Sequence, residues 1–259
     1  MEFISIADAK RKTKLSYLGR VDLSSKIEKN SKVFKIKTYS IYLSPAKTSG
    51  YDVCPFSTPE CRMGCLATSG RAILDVLSGR DKIKNSRIKK TKLFFEDNEF
   101  FMQWLIAEIT NAKKKAKKEG FGFAVRLNAT SDIDWENIFY KGKNIFRYFP
   151  EVQFYDYTKN FNKFKKLSLN YHLTYSYTGR NWHNCLKVLN MGGNIAMVFN
   201  IKNNQQLPKT YGGFNVIDGD ISDYRPFDAK GCIVGLRWKK IANKEFNEHV
   251  KESIFVIQP

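Results

Sequence analysis

The stretch FAVRLNATSDIDWENIFYKGKNIFRYFPEVQFYDYTKN, residues 123–160, decides the fold class. Its two ends are short runs of β-branched and aromatic residues that finish in polar side chains, the signature of strands. Between them, WENIFYKGKNIFRYF (135–149) spaces its apolar residues as a helix would. Strand, helix, strand in that order predicts two parallel strands joined by a right-handed crossover, because parallel neighbours need a long connection and a helix supplies it.

Outward from this unit the rhythm continues. HLTYSYTGR (172–180), NIAMVFN (194–200), FNVIDGD (214–220) and CIVGLRWK (232–239) repeat the strand pattern, and NWHNCLKVLNMGG (181–193) reads as a helix stopped by a glycine pair. Upstream, VFKIKTYSIYLSP (33–45) alternates apolar and polar residues, which makes seven strands. Helices are expected around Ile73 to Lys92 and from Asn98 to Glu119. The second has Asp97 as N-cap, Phe101, Leu105 and Ile109 on one face, and Gly120 as its stop. The expected fold is therefore α/β: a full or partial parallel β/α barrel of about six to seven strands, with the cysteine loop after the first barrel strand. An open doubly wound sheet is the alternative, and no GxGxxG follows a strand to favour it. Residues 1–33 read as an N-terminal extension and 34–259 as a single domain.

Composition narrows the function classes. A 259-residue chain that is 42% hydrophobic can build a substantial core, which argues against disorder. There is no signal-peptide pattern at MEFISIADAKRK and no run long enough to span a membrane, so a cytoplasmic protein is expected. With 44 Lys plus Arg against 25 Asp plus Glu, the formal charge is +19, and the expected partners are DNA or RNA. KNSRIKKTK (84–92) and NAKKKAKKEG (111–120) are the densest basic stretches, although solvated helix faces would carry the same charges.

In β/α folds, ligands sit at the carboxyl ends of the strands. Those ends supply Arg126, Asn128, Ser131, Asp132, Asp156, Tyr157, Lys159, Ser176, Asp218, Asp220 and Asp223. Each could instead cap the next helix, as Ser131 to Asp134 would for a helix at Trp135. CPFSTPECRMGC (54–65) leaves the first strand at the same end and carries Cys54, Cys61 and Cys65 as candidate metal ligands. Three thiolates spaced C-x6-C-x3-C suit a [4Fe-4S] cluster with one iron open. Zinc is the alternative, completed by His172, His183, His249, Cys185 or Cys232. Unligated thiols are the third reading.

The strand, the three-cysteine loop and the β/α repeats resemble the radical S-adenosylmethionine enzymes, though their usual cysteine spacing is C-x3-C-x2-C. That resemblance implies a [4Fe-4S] centre and S-adenosylmethionine. Arg126, Asn128, Ser176, Asp218 and Asp220 would then be cofactor contacts, and Lys159, Tyr157, Asp156 and Asp132 catalytic candidates. A second likeness covers most of the chain. YLSPAKTSGYDVCPFSTPECRMGCLATSGRA, RLNATSDIDWE, FYDYTKN, LTYSYTG and VIDGDISDYRPFD are similar to segments of the bacteriophage gene product 88 family. This implies phage origin, hence host cytoplasm, and a family cysteine loop at Cys54, Cys61 and Cys65, without naming a reaction.

Three functions remain open on these grounds. The first is a cluster-binding enzyme of radical type acting at the strand ends. The second is a non-catalytic, basic nucleic-acid-binding protein of phage replication or host takeover with a structural metal. The third is a metal-dependent nuclease using Asp132, Asp134, Asp156, Asp218, Asp220 and Asp223.

Overall fold

The computed structural model describes residues 1–65, 67, 71–241 and 243–258, with backbone alone at 71 and 73. The chain opens with α1 (Ile6–Thr13), β1 (Gly19–Val21), α2 (Ser25–Phe34) and β2 (Ile36–Ile41). Four helices follow: α3 (Pro59–Met63), α4 (Arg71–Leu77), α5 (Lys82–Glu96) and α6 (Asn98–Lys118). Next come β3 (Gly122–Arg126), α7 (Ile145–Tyr148), β4 (Gln153–Thr158), β5 (Tyr171–Ser176), α8 (Trp182–Asn190) and β6 (Asn194–Phe199). The chain closes with β7 (Thr210–Tyr211), β8 (Phe214–Asp218), β9 (Ile233–Arg237), α9 (Lys244–Lys251) and β10 (Val256–Ile257).

The expected six- to seven-stranded parallel β/α barrel is not formed. The strands make one open, mixed sheet of ten, in the order β1-β2-β3-β4-β5-β6-β9-β8-β7, with β10 added against β6. The seven strands read from the sequence are all present, and β2 to β6, β9 and β8 run parallel. Closure fails at the edges. Antiparallel β1 covers β2 and antiparallel β7 covers β8, so neither outer parallel strand is free to meet the other. Short edge strands of this kind also leave little backbone open to foreign pairing. The space between the edges is bridged by α2 and the loop after β8: Lys29 Nζ donates to Asp220 O at 2.6 Å and the Asp223 amide to Asn30 Oδ1 at 2.9 Å.

Strand alternation assigns the two faces of the sheet. Tyr39, Ile41, Val125, Phe154 and Leu173 turn to one side and pack against Phe101, Trp104, Leu105 and Ile109 of α6. Along the same side, Tyr175, Ile195, Met197 and Ile233 pack against Cys185, Val188 and Leu189 of α8. Each fully buried side chain of this size contributes about 1.5–3 kcal/mol. The α6 cap is as read from the sequence, with Asp97 accepting from the Phe100 amide and Gly120 at φ +75° ending the helix. The opposite face carries Ile36, Thr38, Ala124, Arg126, Tyr155 and Tyr157, and only its β2 to β4 part is covered by α2.

The segment taken as an extension packs into this body. Ala9, Leu15 and Leu18 are buried with α6, and β1 pairs with β2. Gly19 is required there, because a Cβ would lie 2.5 Å from the Tyr39 ring. Two helices differ from expectation. The one expected from Ile73 to Lys92 breaks into α4 and α5 at Gly79 (φ +66°) and Asp81 (φ +50°). Residues 135–149 form only a 3-10 turn and the short α7, because Lys141 and Gly142 take positive φ in a tight turn between Tyr140 and Lys143. Among the described residues, no helix is long and apolar enough to cross a membrane.

Candidate anion-binding cavity

On the face opposite α6 and α8, the carboxyl ends of the parallel strands open into a cavity of ≈1500 Å³. Tyr42 after β2, Arg126 of β3, Tyr157 of β4, Asn200 after β6 and Leu236 of β9 form its sheet wall, while α2, α5 and α9 supply the sides. The cavity thus lies at the strand ends, where the strand-end rule points, even though the barrel is absent.

Charge is the cavity's main property. Its described lining holds ten lysines and arginines against two carboxylates, Asp223 and Glu248. They are graded by depth. Arg20, Lys82, Lys202 and Lys240 are exposed at the rim, whereas Lys26, Arg87 and Arg126 are half-buried and Lys90 is only 4% exposed. Burial lowers Lys90 to about 8, with Arg87 adding like-charge repulsion against Glu108. It lowers Lys26 to about 8 as well, with Asp223 opposing and Lys239 and Arg225 adding. Burial likewise lowers Arg87.

Four aromatic residues share the lining, and cations lie on the faces of three of them. Arg126 is 4.9 Å from the Tyr157 ring centre, Arg87 5.5 Å from Tyr42, and Lys90 4.3 Å from Tyr17; Trp238 is the fourth. Arg126 also donates through Nη1 to Asp223 Oδ2 at 2.7 Å. Burial opposes its charge, Asp223 together with Tyr157, Tyr155 and Tyr42 more than offsets that, and the net shift is upward. The Arg126 Nε, Arg87 Nε, Tyr157 hydroxyl and Trp238 Nε1 are buried with no partner among the described residues. Buried polar atoms ordinarily have one, so four in a single cavity wall call for water or ligand.

The remaining strand-end residues are employed elsewhere. Asn128 Oδ1 accepts from Ser131 Oγ, the Ile133 amide and Trp135 Nε1, which makes it the organiser of the loop after β3. Asp156 is fully buried, accepts from the Asn128 amide at 2.7 Å and Tyr171 Oη at 3.1 Å, and is pushed by burial up to about 7. Asp132 pairs with Lys163 Nζ at 2.7 Å and accepts from Thr158 Oγ1 and the Lys159 amide. Asp218 and Asp220 both receive Arg237 Nη1, and Lys239 approaches Asp220 at 3.2 Å. Ser176 ends β5 with its carbonyl accepting from Asn181 Nδ2. Of the sequence candidates, the cavity gathers Arg126, Tyr157 and Asp223.

The cysteine loop lies beside this cavity. Cys54 Sγ is 3.9 Å from Thr130 O, and Cys61 sits on α3, whose N-cap Thr58 accepts the Cys61 amide at 3.2 Å. Burial lifts Cys54 to about 11 and raises Cys65. Burial also disfavours the Lys159 ammonium, but Cys61, Asp132, Cys54 and Cys65 around it outweigh that and raise it. The three thiols therefore share one corner with Lys159. Among the described residues, no group of three or more His, Cys, Asp or Glu is arranged to hold a metal ion. Of the possible fourth zinc ligands, Cys185 lies in the α8 core and Cys232 Sγ against Ala229 O, His183 and His249 are exposed, and His172 Nε2 is buried with no partner among the described residues.

Sequence reasoning named the basic stretch 84–92, which holds Arg87 and Lys90, but missed Lys26, Lys239 and Tyr42 as site residues. The signal for α5 was present, since Ile83, Ser86, Arg87 and Lys90 recur at i, i+3, i+4 and i+7 and all line the cavity. The other basic stretch, at the end of α6, contributes nothing to it.

The family model described as Gene product 88 matches residues 9–250, nearly the whole chain. The chain belongs to the phage gene product 88 family. No curated protein and no solved structure matches. The likeness to radical S-adenosylmethionine enzymes finds no support, since it leaned on a barrel that the sheet does not form.

Proposed function

We propose that this gene product 88 family member binds single-stranded nucleic acid in the cavity at the strand ends. The observation that carries the reading is the cavity's grading of cations, from an exposed rim to buried side chains, interleaved with aromatic rings. Single-strand binders combine a positive groove for phosphates with rings on which bases stack. The volume supports a ligand larger than a mononucleotide, because sites for drug-sized molecules run about 300–1,000 Å³. A duplex holds its phosphates around the outside of a stacked rod, so one strand suits an indented site better than two.

The alternatives fit the charge less well. S-adenosylmethionine bears a sulfonium and an ammonium against one carboxylate, so it is a net cation and would be repelled by this lining. A nuclease needs carboxylates free to hold metal ions, whereas Asp132, Asp156, Asp218, Asp220 and Asp223 are each committed to cations or backbone and side-chain donors.

The test is fluorescence anisotropy with a labelled single-stranded oligonucleotide over a series of salt concentrations. With roughly six cations reaching phosphates, the plot of log affinity against log salt should slope near −4, at about −0.7 per contact. Absent binding, or a slope near zero, refutes the proposal.

A further inference from the structure

We infer that Arg87 and Lys90 form a seat for a phosphomonoester, the terminal phosphate of the bound strand; the inference rests on the single-strand reading above. The two residues lie one turn apart on α5 and both line the cavity. Lys90 is 4% exposed, yet its ammonium lies 4.3 Å from the Tyr17 ring centre and meets no hydrogen-bond acceptor or ion-pair partner among the described residues. Glu108, the carboxylate that acts on it, is already taken by the Leu18 amide, the Gly19 amide at 3.0 Å and Tyr39 Oη at 2.5 Å. Arg87 spends Nη1 on Ala67 O at 2.6 Å and leaves Nε buried without an acceptor.

Two neighbouring cations, one buried and one half-buried, whose loss of water is only partly offset by Glu108 and Asp75, are a standing cost to the folded chain. An anion entering from the cavity removes that cost. Its charge identifies it. A phosphomonoester carries about −1.5 to −2 at neutral pH and offers three acceptor oxygens, which matches two cations and an unused guanidinium N–H. An internal phosphodiester carries a single charge, and its two esterified neighbours would have to reach the same buried spot. The end of a strand can enter where its middle cannot.

The experiment compares one fluorescent single-stranded oligonucleotide in three forms: 5′-phosphorylated, 3′-phosphorylated and unphosphorylated. Inorganic phosphate serves as competitor. One phosphorylated form should bind at least about tenfold more tightly than the unphosphorylated strand, the low end expected of hydrogen bonds to charged groups. In Lys90→Met that ratio should fall to within about twofold of unity, while the ligand-free variant melts at or above the wild-type temperature because one uncompensated buried charge is gone. Arg87→Gln provides the same ratio test should Lys90→Met fail to fold. Equal, salt-dependent binding of all three forms overturns the terminal-phosphate seat and leaves single-strand binding standing. If inorganic phosphate displaces the phosphorylated strand at the strand's own concentration range, the seat belongs to free phosphate and the strand-end assignment is overturned. If no form binds, both readings fall.

Discussion

Replacing Asp132 with alanine tests whether the polar residues after the strands hold the loops or perform chemistry. The Asp132 carboxylate and the Lys163 ammonium meet at 2.7 Å with side chains 4% and 3% exposed. Breaking a buried pair from one side costs about 3–5 kcal/mol, because the surviving charge stays buried. Lys163 would keep two carbonyls, Asp132 O at 3.2 Å and Ile133 O at 2.9 Å, which moderates the loss. Thr158 Oγ1 and the Lys159 amide would lose their acceptor, at about 1 kcal/mol each. The expected total is about 4 kcal/mol. Urea unfolding followed by circular dichroism reads it: with a slope on the order of 3 kcal/mol/M, the midpoint falls by about 1.3 M. The double variant Asp132→Leu with Lys163→Met removes both charges and should recover most of that loss. A midpoint shift below about 0.3 M, or a double variant no better than the single one, refutes the structural assignment.

Affinity for a single strand should be full below about pH 7 and decline as pH rises through about 8 toward about 9, because Lys26 and Lys90 lose their protons near 8 and only the protonated forms attract phosphate. Lys26 is surrounded by Asp223, Asp220, Lys239 and Arg225, and Lys90 by Glu108 and Arg87; anisotropy at constant ionic strength that stays flat across this range contradicts the assignment. Asp156 has its folded pKa raised from 3.8 to about 7, so the native state holds the proton more tightly and stability is lost as pH climbs from about 4 to about 7. Asp156→Asn should flatten that decline in thermal melts and raise the melting temperature at pH 8, whereas an unchanged pH profile speaks against it. Cys61 lies outside the cavity lining, so Cys61→Ala should keep strand affinity within about twofold. A larger loss would return the cysteine loop to the centre of the function, and iron and zinc analysis of both anaerobically purified proteins would identify what it holds.

The sequence displays what repeats and hides what is short. Seven strands were legible because each places apolar side chains alternately over several residues, and α6 was legible because Asp97, Phe101, Leu105, Ile109 and Gly120 agree on one helix. The barrel inference failed on β1, β7 and β10, which have three, two and two residues and no period to read. Nor does any local pattern state that β9 inserts between β6 and β8. Residues 135–149 carry helical apolar spacing because Trp135, Ile145 and Phe146 are all buried, but they reach the core from a turn. At the strand ends, the cavity gathers Arg126, Tyr157 and Asp223, while most other polar candidates hold loops. Asn128, Asp132 and Asp156 follow the capping and loop-holding alternative, since their partners come from within five residues or from the adjacent strand and loop. Lys90 was visible only as part of the basic stretch 84–92 and Lys26 not at all, because a lysine on a helix reads as solvated until a neighbouring element covers it.

Which of the two unusual features carries function, the cysteine corner or the cationic cavity, follows from the electrostatics of the empty protein. At the cysteine corner, burial raises the Cys54 and Cys65 thiols, and Lys159 has Cys61 and Asp132 beside it. The cavity is not settled. Its buried cations repel one another, Lys26 and Lys90 are held near 8, and Arg87 and Arg126 each present an N–H with no acceptor. The charge on Lys90 is disfavoured by burial and only partly offset by Glu108 and the Tyr17 ring. Such destabilising charge is the usual mark of a binding site, where the ligand supplies the missing counterpart. A polyanion answers every one of these deficits at once, and a metal ion answers none of them.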